Sequence, residues 1–425
     1  MSRGPRVAPE ITHWRNAVVV AYGASGIAFS TWVSRLPAIR SGLDLTPGTV
    51  GLLLLCLTAG SFLSVSASGL IVLRLGSKRV IRIGSIMVGC GLVLAGFGTS
   101  VLASPLAVAS GLVVIGLGTA SWNTASNVEG AAVERAVRRH IMPRLHGAFS
   151  LGTVAGAGLG ALAAAAGVPV AVHLAAAGAV VAGSVATAAA WFRADVTPVP
   201  GERPFKPAGP DTFEDPSTGP IPIIRQQDAV PEAPLDNKRQ IAQAWRDRRT
   251  LLLGVLVLGL ALAEGAAGDW VALALADGHG QSEAAGAAGY GIFVSFMTVG
   301  RFAGTVVLDR FGRVPVMRWC AALAIAGLGM FVFAPVPWLA FAALAIWGLG
   351  ASLGFPVGMS AAADEPAKAA ARVSVVSTIG YGAFLCGPPL LGLLAEHVGI
   401  LHSLLAVMVM LVASFLLSPV TRKIG

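Results

Sequence analysis

Leu251–Leu275 reads LLLGVLVLGLALAEGAAGDWVALAL, an apolar run broken only by Glu264 and Asp269. As a helix it rises about 37 Å, enough to cross a hydrocarbon core of about 30 Å. A carboxylate at bilayer depth costs about 2.5–3.5 kcal/mol on insertion scales. A chain that keeps one there uses it against a protein interior or a wet cavity, on a solute or proton route. Arg301 repeats the signal in Gly289–Leu308, GYGIFVSFMTVGRFAGTVVL. The chain therefore reads as one that moves something polar through a membrane.

The surrounding sequence agrees. Hydrophobic residues are 55% of the 425 and charged residues only 12%, unlike a soluble domain. Apolar spans are expected at 16–36, 48–73, 80–99, 105–128, 146–166, 169–192, 250–275, 286–308, 315–334, 337–360, 374–395 and 400–418. With the N-terminus in the cytoplasm, 27 of the 30 Lys and Arg fall on the inner side. Only Arg35 and Arg40 fall outside, and Arg301 lies in the membrane. This asymmetry follows the positive-inside rule and explains the net charge of +9 without nucleic acid. The expected class is an all-α membrane protein of 12 transmembrane helices in the plasma membrane, with both termini cytoplasmic. No cleavable signal peptide is expected, since the first run is long and lacks a small-residue cleavage site. The 53 glycines suit close helix approach.

Other chemistries find little support. Cys56, Cys90, Cys320 and Cys386 lie in apolar runs and form no CxxC. There is no GxxxxGK[ST] loop for nucleotide drive and no metal-ligand cluster. No enzyme activity, cofactor or metal is expected.

Residues 193–249 are rich in Pro and charge and read as a cytoplasmic linker. They separate two halves, 1–192 and 250–425, expected as six-helix bundles. Gly51–Phe62 (GLLLLCLTAGSF) aligns without a gap to Gly291–Phe302 (GIFVSFMTVGRF), sharing Gly, Thr, Gly and Phe. Trp32-Val33 matches Trp270-Val271, and Gly116-Leu117-Gly118 matches Gly348-Leu349-Gly350. Ordered matches with drifting offsets point to duplication, a hallmark of secondary transporters.

The loop after the eighth span, Asp309-Arg310-Phe311-Gly312-Arg313, resembles the D-R-x-G-R loop of the major facilitator superfamily. The first-half counterpart keeps Arg74, Gly76, Lys78 and Arg79 but has Leu73 in the acid's place. Within that superfamily the chain resembles the fucose-permease-like branch. The segments that carry this are Glu264-Gly-Ala-Ala-Gly-Asp269-Trp270, Asn123-Thr-Ala-Ser-Asn127, Arg144-Leu-His146-Gly and Trp32-Val-Ser-Arg35-Leu-Pro37. Asn123 stands where relatives often have an acid.

The resemblance implies two pseudo-symmetric bundles, with spans 1, 4, 7 and 10 around a cavity. Glu264, Asp269, Asn123 and Asn127 are then the candidates for proton coupling or solute binding. Tyr22, Trp32, Trp122, Trp270 and Trp347 are candidate cavity liners. Arg301 is expected to pair with a carboxylate, to bind an anionic solute, or to reach Asp309. Arg74, Asp309, Arg310, Gly312, Arg313 and His146 are expected at a cytoplasmic gate. The implied function is proton-coupled uptake of a small, sugar-like solute by a monomer. Proton-driven efflux and a non-transporting sensor are the alternatives.

Overall fold

A computed structural model describes residues 9–137, 141–193, 234–365 and 368–422. Most of the Pro-rich linker (194–233) lies outside the described residues. Twelve helices of the sequence-based scheme appear, and no strand is found among the described residues. They are α1 Pro9–Ser34, α2 Pro47–Leu75, α3 Ser77–Ser100, α4 Pro105–Val137, α5 Met142–Ala165 and α6 Val170–Ala188. The second set is α7 Arg248–Leu273, α8 Glu283–Phe311, α9 Arg313–Val332, α10 Pro337–Ala351, α11 Ala369–Val398 and α12 Leu405–Leu417. Among the described residues, eleven segments are long and apolar enough to cross a membrane. The 29-residue α8 is the twelfth helix of spanning length. Large apolar side chains point outward from several helices: Leu63 is 65% exposed, Leu106 77%, Leu162 68% and Val306 69%. Water would not tolerate so much exposed apolar surface, whereas lipid tails do. The chain is a multi-pass membrane protein.

Three departures from simple spans bear on the site. The fourth helix continues to Val137, well past the expected end at 128. The tenth span breaks at Ser352-Leu353 and resumes as a short helix, Gly354–Ala362. The seventh ends in a wide π turn, Ala274–Gly278.

Gly76 and Gly312 each take a φ of 77°. That left-handed value lets a single residue separate α2 from α3, and α8 from α9. A side chain at either position would be strained.

Small residues set the helix spacing. A Cβ added to Gly118 would lie 2.7 Å from the carbonyl oxygen of Gly84, and one on Gly84 2.8 Å from that of Gly118. Backbones therefore touch where α3 crosses α4. The duplicated Gly-Leu-Gly repeats this role. Gly116 sits against Leu57 of α2 and Gly118 against α3; Gly348 sits against Phe293 of α8 and Gly350 against Ala324 of α9. The ungapped alignment would pair Leu57 with Met297, so the second copy is displaced by one helical turn.

Packing gathers the chain into two compact units. One holds Cys56–Gly156 with the described residues up to Trp32 and from Val168 to the linker. The other holds Val33–Leu55 and Ala157–Gly167 with the described residues from Pro234 onward.

Candidate functional site

In the second unit, Glu264 on α7 meets Arg301 on α8. Arg301 Nη2 donates to Glu264 Oε1 at 2.8 Å, and Nε donates to the Ser352 carbonyl at 3.3 Å. The Arg301 side chain is only 8% exposed and Glu264 is 21% exposed. Burial of either charge alone would be costly, and pairing offsets this. The helix break explains the second bond: interrupting α10 frees carbonyls from their i+4 donors, and a guanidinium has donors to spare. Of the three roles expected for Arg301, pairing with a carboxylate is the one the structure shows. It does not reach Asp309.

Asp269 lies five residues beyond Glu264 on the same helix. It is half-buried and makes no hydrogen bond or ion pair among the described residues. Tyr290 of α8, 2% exposed, lies within range of the charges of Asp269, Glu264 and Arg301. Sequence reading passed over this tyrosine, because one Tyr in a Gly-rich helix carries no motif.

Around Tyr22, in the first unit, the hydrogen-bonding groups are hydroxyls and amides. Tyr22 on α1 donates its hydroxyl hydrogen bond to Asn127 Oδ1 on α4. One turn along, Ser25 donates to Asn123 Oδ1 at 2.9 Å. The His146 ring meets Tyr22 edge-on, with centroids 5.3 Å apart. Tyr22, the Asn123–Asn127 segment and His146, far apart in the sequence, are thus brought together.

The tryptophans are placed otherwise. Trp32, Trp122, Trp270 and Trp347 are among the largest fully buried side chains, at 0–1% exposure. Trp347 packs edge-on against Phe293 at 5.5 Å, and Trp122 sits under Gly84. None of the four indole N–H groups has a hydrogen-bond partner among the described residues. All four are packed inside this structure with almost no open surface, a distinction that period-3.6 apolar faces cannot make.

At the end carrying the basic loops, the gate motif divides. Arg74, Asp309 and Arg310 are exposed, with Arg310 stacked over Phe311 at 5.4 Å. Arg313 is engaged: Nη1 donates to Asp364 Oδ1 at 2.6 Å and Nη2 to Ser360 Oγ at 2.8 Å. Asp364 also binds Arg249 Nη2 at 3.1 Å, at the start of α7. The first unit has a counterpart. Glu129, fully buried on α4, accepts from Trp14 Nε1 and from Ser77 Oγ, both at 2.6 Å. Ser77 follows Gly76 as Arg313 follows Gly312. In each copy a carboxylate at or just beyond the end of the expected fourth span of the set holds the first residue of the third span and the start of the first. Sequence reading missed Glu129 and Asp364. Each lies near a span end, where a charge reads as solvated.

Nearby, Glu365 binds Arg372 at 2.8 Å and Lys368 at 3.0 Å, and these hydrogen bonds hold its carboxyl below the usual range. For Asp247, burial acts upward, but hydrogen bonds from Thr250 and the nearby Arg372 outweigh it and leave the carboxyl lowered.

At the opposite end, within the second unit, Arg40 pairs with Asp277 at 2.7 Å and Ser41 Oγ donates to Glu283 at 3.3 Å. The Gly48 amide donates to Glu396 at 3.2 Å.

Paired carboxylates, a buried cation and a duplicated helix set define a membrane transporter built from two related halves. Comparison places it further. Residues 18–367 and 270–423 match the model of the Major Facilitator Superfamily, and the chain belongs to that family. An uncharacterised MFS-type transporter of Yersinia pestis is 25% identical over 89% of this chain and 88% of its own. The fold is shared with a point mutant of the nucleoside transporter NupG (TM-score 0.73, 14% identity, covering 96% and 98% of the two chains). It is also shared with a point mutant of the E. coli fucose:proton symporter FucP (TM-score 0.61, 15% identity, covering 96% and 98%), of the branch the motifs resemble.

Proposed function

We propose that this transporter takes up a small, polar, sugar-like solute together with protons, by alternating access in the plasma membrane. The observation that carries this reading is the Glu264–Arg301 pair beside the unpartnered Asp269, in a helix long and apolar enough to span a membrane. Asn123 and Asn127 cannot carry a proton, so coupling falls to the carboxylates of α7. The amides and hydroxyls of Tyr22, Ser25, Asn123 and Asn127 offer the donors and acceptors that solute hydroxyls need. NupG and FucP, named for a nucleoside and for fucose with protons, support a polar solute of this size. In this reading 1–192 and 250–425 are the moving halves, the protein acts as a monomer, and both termini are cytoplasmic. The exposed Arg74, Asp309 and Arg310, with Gly312, Arg313 and His146, serve the cytoplasmic gate.

The test is uptake into proteoliposomes under an imposed pH gradient, screened over sugars and nucleosides. Acid-outside gradients should drive accumulation. Glu264→Gln and Asp269→Asn should each lose gradient-driven accumulation while exchange of solute persists. Full gradient-driven uptake in both variants refutes the coupling role. Accumulation only when the gradient is reversed would make the protein an exporter.

A further inference from the structure

We propose that Arg301 is a positioning residue that ties the charge of Glu264 to the short helix Gly354–Ala362, and through it to the ion pairs of Asp364. The proposal deepens the transport reading above and rests on it.

The geometry is continuous over the whole path. The break at Ser352-Leu353 lies on one face of α8, formed by Gly300, Arg301 and Gly304. A Cβ on Gly300 would lie 2.5 Å from Ser352 Oγ, and Gly304 is backed by the Leu353 side chain. Arg301 spans the gap, with Nε on the Ser352 carbonyl and Nη2 on Glu264. On the other side, Gly354 and Gly358 lie against Leu260 and Val257 of α7. The short helix therefore packs against α7 and, through Phe355 against Gly380, against α11, and it is hinged at its N-terminal end by the broken backbone that rests on α8. Its far end carries Ser360, with Asp364 just beyond. Both bind Arg313, and Asp364 also binds Arg249. One rigid segment of nine residues thus has the Glu264 partner at its hinge and the starts of α7 and α9 at its tip.

Among the described residues, the charged and titratable groups near Glu264 include Arg301 and Tyr290 of α8 and Asp269 on its own helix. From α11 the adjoining turn meets the ring of Phe384, at Gly265. When a proton or a solute group takes up the Glu264 charge, Arg301 is left as a buried cation without its counter-ion. That state is costly, and relief requires the guanidinium to move. Because Nε holds the hinge carbonyl, the hinge moves with it, and the packed segment transmits the shift to Asp364. A single-point ammonium cannot hold both acceptors as the guanidinium fork does.

The experiment places one cysteine at the exposed Ala363, beside Asp364, after replacing Cys56, Cys90, Cys320 and Cys386 with Ser. Maleimide labelling rates are measured in proteoliposomes of anionic and zwitterionic phospholipid, without solute. Glu264→Gln serves as the neutral form. It should change the rate at 363 by about fivefold or more in the Arg301 protein. In an Arg301→Lys background the same substitution should change it by under about twofold. Equal fold-changes in the two backgrounds overturn the proposal, since a merely structural Arg301 would act additively. Arg301→Gln takes the place of the lysine variant, with the same expected outcomes, if that variant does not reach the membrane. The readout needs no solute. Loss of pH-driven uptake with the labelling coupling intact would refute the transport reading alone, and the reverse would refute this one alone.

Discussion

Gly118→Ala is the sharpest test of the packing that supports the transport cycle. The new Cβ would stand 2.7 Å from the Gly84 carbonyl oxygen and 2.9 Å from Met87 Cβ, where ordinary contact begins at 3.4 Å. Both obstacles are rigid, one a helix backbone and the other a first side-chain carbon. The α3 and α4 axes must therefore part by about 0.7 Å, loosening contacts along a crossing that also contains Gly91 and Gly111. Overpacking of this kind costs about 1–3 kcal/mol, while alanine's better helix propensity returns about 1 kcal/mol. The control is Gly158→Ala or Gly183→Ala, at positions with nothing within 4 Å, where only the propensity gain applies. Gly118→Ala should melt below the parent in detergent and the controls at or above it, a gap of about 1–3 kcal/mol between the sets. The assay is thermal aggregation followed by size-exclusion chromatography, at one scan rate because such unfolding is irreversible. A Gly118→Ala protein as stable as Gly158→Ala would refute the close-approach argument.

Three further outcomes are expected. Glu129→Leu strips Trp14 and Ser77 of their shared acceptor, at about 1–3 kcal/mol for each donor left unpaired, and should lower the melting midpoint far more than Glu129→Gln; equal midpoints would remove the carboxylate from its structural role. The Arg40–Asp277 pair is 28% and 31% exposed, so it is worth about 0.2–1 kcal/mol. Arg40→Ala should broaden the spin-label distance distribution between positions 44 and 280, and the swap Arg40→Asp with Asp277→Arg should restore it; an unchanged distribution in the single variant would show that the pair does not order this end of the second unit. For Asp247 and Glu365, both lowered on folding, the stabilisation is complete above their ordinary values of 3.8 and 4.5 and is lost as pH falls through the lower folded values. Stability should therefore not respond to this cluster between about pH 5 and 8, and a midpoint shift there that Glu365→Gln abolishes would contradict the assignment.

The membrane class, the twelve helices and the duplication could be read along the chain because they depend on local quantities. A run of apolar residues either spans a bilayer or does not, and Gly76 and Gly312 announce their turns by being the residue that tolerates φ near 77°. Glu264 and Arg301 were equally visible, since a charge in an apolar run needs no structure to be noticed. Their mutual bond was not, because residues 37 apart meet only after α7 and α8 have packed. The same holds for Tyr22 with Asn127, 105 residues apart. Burial was also undecidable in one dimension. Trp122 and Trp347 carry the amphipathic chemistry of a solute platform, yet the helices that close over Gly84 and Gly327 make them core. Glu129 and Asp364 stand just past the ends of the expected spans, like any solvated acid. Only the crossing of one helix over the starts of two others turns each into an anchor. What the chain decides alone is which segments must leave water; which charges then face one another is decided by how the helices pack, because a side chain's partner depends on distances that sequence separation does not measure.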